Sequence, residues 1–238
     1  MSLVYACQDG TTLYSLRKKG KQNMIFAKQL FRKLPEEWIF GEYFSLELPV
    51  FEWVRNISVA LADFFKKTPL PSRIFSEIPP QLYIKGDVYI GKNVNLPPYG
   101  FIEGPAYIGD NCILRPSVYI RGNVIAWSDC VLGNSCEFKN ALLLDHVQVP
   151  HFNYVGDSLL GSHAHLGAGC ILSNLRFDRQ PVCMRDTDGQ RFETSLKKLG
   201  GLLGDNAEAG CNAVLQPGAC LFPGTKVFPC EAFAGTRI

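Results

Sequence analysis

The sequence predicts a mainly β protein: a parallel β-helix over residues 81–238 and a small helical N-terminal region over residues 1–80. Three observations predict it. First, apolar side chains recur every six residues at Ile84, Ile90, Leu96, Ile102, Ile108, Leu114, Ile120, Ala126, Leu132, Phe138 and Leu144, a period that belongs to neither an α-helix nor an alternating strand. Second, the residue two before each is small or β-branched through most of the run, as at Val88, Val94, Gly100, Ala106, Cys112, Val118, Val124, Cys130 and Cys136. Third, Gly or Pro follows the ladder residue at Gly91, Pro97, Gly109 and Gly133, where a tight corner between flat faces needs them. Coils of three six-residue strands hold about 18 residues each and stack roughly 4.8 Å apart, which gives about six to seven coils.

The N-terminal region has a different pattern. Leu13, Leu16, Met24, Ile25, Leu30 and Phe31 fit one or two amphipathic segments, with Arg17, Lys18, Lys19 and Lys21 as a solvated basic face. A second helix is expected after Pro49, where Phe51, Val54, Ile57, Leu61, Phe64 and Phe65 recur at helical spacing until Thr68-Pro-Leu-Pro stops it. In the β-helix the ladder slips by one residue near Val149, Val155 and Leu160, then resumes at Leu166 and Leu172. An insertion near 175–197 breaks the period and reads as a loop or hairpin, projecting from a corner, with Asp188-Gly189 at its tip. The ladder returns at Leu203, Ala209, Leu215, Leu221, Val227 and Phe233.

Composition narrows the function classes. The net charge of +2 gives no reason to expect nucleic acid or a membrane surface as the partner. No apolar stretch is long enough for a membrane helix, and no secretory signal is read at Met1-Ser-Leu-Val-Tyr. The nine cysteines lack paired CxxC spacing and several occupy the small ladder position, so a cytoplasmic protein with reduced thiols is expected.

Histidine placement points to chemistry. Of four histidines, His146 is followed by His151, His163 and His165 within a short stretch, and a β-helix needs none of them for packing. His151 shares the segment His-Phe-Asn-Tyr-Val-Gly-Asp with Tyr154 and Asp157, and Glu137 and Lys139 lie close to one coil earlier. A carboxylate, a cation and an imidazole within reach of each other suit proton transfer beside an anionic substrate.

At these residues the chain resembles the acetyltransferase domain of the bacterial bifunctional N-acetylglucosamine-1-phosphate uridylyltransferase/glucosamine-1-phosphate acetyltransferase. The likeness runs through GNSCEFKNALL (133–143), HFNYVGDSLLG (151–161) and HLGAGCILSN (165–174), with LLGD (202–205) after the insertion. The resemblance implies left-handed coils and an acetyl-coenzyme A-dependent N-acetyltransferase of UDP-N-acetylglucosamine biosynthesis. It would act on an amino-sugar phosphate or a nucleotide amino sugar, with no metal in the transfer step and active sites between the subunits of a homotrimer. It implies His151 as general base and Glu137 as the carboxylate that orients it. It further implies Arg121 and Lys139 as cations for the sugar phosphate, Tyr154 and Asn174 as substrate contacts, Lys198 as a further substrate lysine, and Ala168 and Cys211 as linings of the acetyl-coenzyme A site. The sequence departs from that family at His165, where the family carries Asn, and at Gly122, where it carries Pro. Residues 1–80 are too short for its uridylyltransferase domain and lack its Gly-rich loop.

Two alternatives stand beside it. One is a non-catalytic solenoid that binds a nucleotide sugar. The other is a zinc hydratase of the γ-carbonic anhydrase type, for which His146 and His151 have the H-x4-H spacing and His163-x-His165 adds nitrogens, though no histidine precedes His146.

Overall fold

A computed structural model describes residues 24–35, 37–70 and 73–238. The segment with Leu13, Leu16 and the basic cluster from Arg17 to Lys21 lies outside the described residues.

The six-residue ladder folds as a three-faced parallel solenoid. On the first face eight strands stack in parallel: Gln81–Lys85, Tyr99–Glu103, Tyr119–Arg121, the start of Glu137–Leu143, the start of Tyr154–Leu160, Ile171–Leu172, Val214–Leu215 and Ala232–Phe233. This is deeper than the six to seven coils expected, because an incomplete coil of Ala232–Phe233 and Thr236–Arg237 follows the complete ones. The second face runs from Val88–Ile90 to Thr236–Arg237 and includes the ends of the two seven-residue strands. The third face runs from Ile113–Leu114 to Lys226–Val227. One core fills the interior, and in it Ile102, Ile120, Leu132, Phe138, Leu143, Leu166, Leu203 and Leu215 are buried, with Cys112, Cys130, Cys136 and Cys170 as small fillers between them.

Corner residues adopt left-handed backbone at a six-residue interval: Asn123, Asp129, Ser135, then Asn140, His146, Phe152, then Asp157 and His163. Two of those intervals are five residues, ending at Asn140 and at Asp157. Asn and Asp tolerate this conformation better than most side chains. Two coils are therefore one residue short, which is why Tyr154 pairs with Glu137 and with Ile171 at separations of 17, while Tyr119 pairs with Glu137 at 18. The slip falls earlier than the ladder suggests. Leu143 pairs with Ala126 and faces the interior, whereas Leu144 faces outward.

The outward face at Leu144 belongs to a second core. Helix α1 (Ala27–Leu30) is a single turn, and helix α2 (Glu52–Lys67) ends at Thr68. Trp53, Val54, Ile57, Ala60 and Leu61 of α2 bury against Tyr107, Ile125, Leu142, Leu144, Leu159 and Leu202 of the second face. Aromatic rings line this seam: Trp53 stacks on Phe31 at 4.8 Å, and Trp127 stacks on Tyr107 at 5.5 Å. The insertion forms an antiparallel hairpin of Cys183–Arg185 and Arg191–Glu193, with Gly189 in left-handed backbone at its turn. It does not project: Val182, Met184 and Phe192 bury in the same outer core, with Phe192 beside Phe51 of the helix entry. The second face is thus covered, while among the described residues the other two faces and their shared corner are left open.

Candidate functional site

The open corner between the third and first faces gathers three of the expected residues on consecutive coils. His151 ends the strand Gln148–His151, its partner on the preceding coil being Asn134. The His151 carbonyl accepts from the Gly169 N–H (3.0 Å), the Ala168 carbonyl from the Asn212 N–H (2.8 Å), and the Cys211 carbonyl from the Cys230 N–H (2.8 Å). His151, Ala168 and Cys211 therefore form one line up the solenoid. Buried Asn153 pins this corner. Its Oδ1 accepts from the His151 N–H (3.1 Å), and its Nδ2 donates to the Gly167 carbonyl (2.7 Å). The His151 ring is exposed, and its Nε2 lies 3.5 Å from Nη1 of Arg115, two coils away.

Beyond the corner, the first face carries a register column on its outer side: Tyr83, Phe101, Tyr119, Glu137, Tyr154 and Ile171. The first three are exposed aromatics in contact with one another. Glu137 accepts a hydrogen bond from Arg121 Nη1 at 2.5 Å, and this bond raises the guanidinium pKa further. Within one chain the Glu137 carboxylate is thus engaged with Arg121, and no hydrogen bond joins it to His151 among the described residues. The contact through which Glu137 is expected to orient His151 is therefore not made among the described residues.

At the next corner, between the first and second faces, Asp157 is the centre of a polar cluster. Its side chain is buried, and it accepts from Lys139 Nζ (3.1 and 3.3 Å), Asn140 Nδ2 (2.9 Å) and Asn174 Nδ2 (2.6 Å). Asn174 Nδ2 also lies 3.1 Å from the Tyr154 hydroxyl. Burial pushes the Tyr154 pKa up, opposed by the Asn174 contact. The cluster exists because two shortened corners stack: Asn140 and Asp157 occupy equivalent left-handed positions on adjacent coils. Lys139, Tyr154 and Asn174 are brought together as expected. Lys198 is exposed and lies beside them in the chain, since the Leu199 N–H donates to the Asn174 carbonyl (3.0 Å) and the Gly200 N–H to the Asp157 carbonyl (2.7 Å).

Asp157 as the hub, Asn140 and Arg115 are missing from the sequence expectations. The signal for the first two was present in the five-residue corner spacing, which is legible only once the corners are aligned. Arg115 carried no comparable signal. The histidine pair with H-x4-H spacing is not assembled within the chain: His151 sits at the open corner, while His146 stacks on His163 (ring centroids 4.6 Å apart) at the corner between the second and third faces.

No family model matches the chain. Among curated proteins, the Bifunctional protein GlmU of Methanococcus maripaludis (strain C7) is 41% identical over 86 residues, covering 36% of this chain and 20% of that protein. GlmU of Methanocaldococcus jannaschii is 40% identical over 86 residues, covering 36% of this chain and 21% of its own length. The Bifunctional sugar-1-phosphate nucleotidylyltransferase/acetyltransferase of Sulfurisphaera tokodaii is 32% identical over 97 residues, covering 41% and 24%. The match thus spans about a fifth to a quarter of the length of these relatives. Among solved structures, the polysialic acid O-acetyltransferase OatWY aligns with 66% of this chain and 82% of its own, at 15% identity and a TM-score of 0.27. The chain is thus a parallel β-helix built on a six-residue repeat, similar over part of its length to these GlmU and bifunctional sugar-1-phosphate nucleotidylyltransferase/acetyltransferase relatives.

Proposed function

We propose that this chain is an acetyl-coenzyme A-dependent N-acetyltransferase acting on an amino-sugar phosphate of the glucosamine 1-phosphate kind, or on a nucleotide amino sugar. The observation that carries the reading is the single corner line of His151, Ala168 and Cys211, beside a first face bearing Arg121, Glu137, Lys139 and Tyr154. The names of the relatives, which include a bifunctional sugar-1-phosphate nucleotidylyltransferase/acetyltransferase, support the same class.

In this reading His151 takes a proton from the sugar amine as the nitrogen attacks the thioester carbonyl. The C–N bond forms, the C–S bond breaks, and the coenzyme A thiolate leaves with a proton returned from the imidazolium. Acetyl-coenzyme A lies along the line through Ala168 and Cys211. Arg121 and Lys139 receive the phosphate, Arg as a planar fork and Lys as a point charge. Both cations already hold carboxylates, Glu137 and Asp157. The phosphate therefore exchanges into existing ion pairs and finds Arg121 and Lys139 already positioned. Tyr154, Asn174 and Lys198 complete the sugar side. A cytoplasmic homotrimer is part of the proposal: a neighbouring subunit supplies the remaining wall of the site, and the exposed run of Tyr83, Phe101 and Tyr119 is the apolar surface it covers.

The test is acetyl transfer from acetyl-coenzyme A to glucosamine 1-phosphate and to several UDP-linked amino sugars, with His151→Ala as the control. Turnover on one acceptor that His151→Ala abolishes is the expected result. Inactivity of the wild type on every acceptor would replace the proposal with a nucleotide-sugar-binding solenoid.

A further inference from the structure

The corner between the second and third faces lies away from the proposed transfer site and carries its own group of metal-ligating side chains. Asp145, His146 and His163 each present a donor atom, all within 4.8 Å of one another. The pair is built by the fold: His146 and His163 occupy the same left-handed corner position on adjacent coils, so their rings stack nearly parallel, 8° apart. Asp145 Oδ1 accepts from the Ser162 hydroxyl, which holds the carboxylate in place, and Oδ2 faces His146 Nε2 at 4.0 Å. That distance is too long for a hydrogen bond. Two imidazoles and one carboxylate oxygen are thus gathered with no hydrogen bond between His146 and Asp145.

These groups open into a cleft of about 540 Å³ roofed by Arg32, Lys33 and Leu34 of the N-terminal segment, with Asp129 and Asp205 in its lining. Asp205 tethers the roof, since its carboxylate accepts from the Arg32 and Ser162 N–H groups at 2.8 and 3.0 Å. Burial pushes the Asp205 pKa up, and the nearby Asp145 adds to the rise. The lining holds Asp129, Asp145 and Asp205 together with Arg32 and Lys33, and it is Asp145 whose donor atom stands within 4.8 Å of both imidazoles, so two imidazoles and one carboxylate form a donor set that matches a divalent metal.

We propose that Asp145, His146 and His163 bind a zinc ion at this corner, with a fourth position open to the cleft. Tetrahedral zinc with bonds near 2.1 Å places its donors about 3.4 Å apart. Closing from the present separations requires the stacked rings of His146 and His163 to turn about their side-chain torsions, so that their in-plane nitrogen lone pairs meet at one point. The ion would clamp two adjacent coils beneath the docked N-terminal segment. The Asp145 contact to Ser162 is the outer support that ligating carboxylates usually have. Nothing in this site depends on the acetyl-transfer reading.

The experiment uses tag-free full-length protein, stripped with chelator and titrated with Zn²⁺, then with Co²⁺ as a spectroscopic probe. About one zinc per chain is expected, with tetrahedral d–d absorption for Co²⁺. His146→Ala and His163→Ala should each weaken zinc binding by more than about tenfold, with unchanged circular dichroism, and His151→Ala should bind as wild type does. Asp145→Asn, nearly isosteric, should shift the Co²⁺ spectrum even if an alanine variant misfolds. The proposal is overturned if the wild type binds no stoichiometric zinc, if both histidine variants bind it unchanged, or if His151→Ala loses it, which would place the metal at the H-x4-H pair instead.

Discussion

Lys139 reaches one coil up the solenoid and sets its Nζ 3.1 and 3.3 Å from the two carboxylate oxygens of Asp157. Asn140 and Asn174 complete the coordination of that buried carboxylate, so side chains from the coils below and above meet at one residue. Asp157→Ala should therefore cost about 3 kcal/mol, because it leaves a largely buried ammonium and two amides without their acceptor. Chemical denaturation of Asp157→Ala, and of Asp157→Ala combined with Lys139→Met, measures this. The double variant should recover part of the loss, and equal stability of the two would show that the ammonium is not the source of the penalty.

The proposed chemistry separates two sets of residues by kinetics. His151 moves a proton in the transition state, so His151→Ala should lower kcat by about 10²- to 10⁴-fold with little change in the KM for the sugar. In the proposed chemistry Arg121 contacts the phosphate in ground and transition states alike. Arg121→Ala should raise that KM by about ten- to a hundredfold and leave kcat within a few-fold, the size of a lost charge-assisted hydrogen bond. Steady-state kinetics of both variants on the same acceptor checks this. A kcat defect in Arg121→Ala equal to that of His151→Ala would place Arg121 in the chemical step.

The six-residue period made the solenoid legible because each inward side chain meets the same neighbours above and below, so the pattern repeats without interruption from Ile84 to Phe138. The place where it slips was misread. Leu144 is as apolar as Leu143, and apolarity alone does not say which of two adjacent leucines faces the interior when both are buried, one inside and one under α2. The hairpin was visible from Asp188-Gly189, but its docking was not, since Val182, Met184 and Phe192 find their partners far away in sequence. At the site, His151, Ala168 and Cys211 were each indicated by the family resemblance, but their alignment on one corner line appears only in the hydrogen bonds between coils. The Glu137 partner was not legible, because Arg121 reaches it from the preceding coil, across a sequence separation of 16 residues.

The two leucines offer a direct measurement. Leu144 is fully buried between the second face and the helical layer. Leu144→Asp would bury an unpaired carboxylate in that seam, a cost of several kcal/mol that separation of the layer relieves. Hydrogen exchange and limited proteolysis should then show loss of protection across α2, with the solenoid strands still protected. Leu143→Asp places the same charge inside the coil stack and should unfold the solenoid itself. Identical protection patterns in the two variants would contradict the opposite facing of these residues.

Buried thiols give the fold an alkaline limit. Burial pushes the Cys136 thiol up to about 11 and the Cys170 thiol up to about 12, and it raises Cys130 and Cys220 as well. A folded pKa above the unfolded value means that the folded state holds its proton more tightly. The stabilisation is fully present below the ordinary thiol value of 9.0 and is lost as pH climbs from there toward 11 or 12. Between pH 7.5 and 10, each such thiol should remove about 1.4 kcal/mol of stability. Lysines and tyrosines also titrate at the upper end, so the informative quantity is the difference between wild type and Cys170→Ala. The variant starts lower at pH 7.5, because it loses buried volume, but its fall to pH 10 should be shallower by about 1.4 kcal/mol. Denaturant midpoints at the two pH values measure this. Parallel falls for the two proteins would mean that the Cys170 thiol ionises in the folded state as readily as in the unfolded chain, which its place in the solenoid interior forbids.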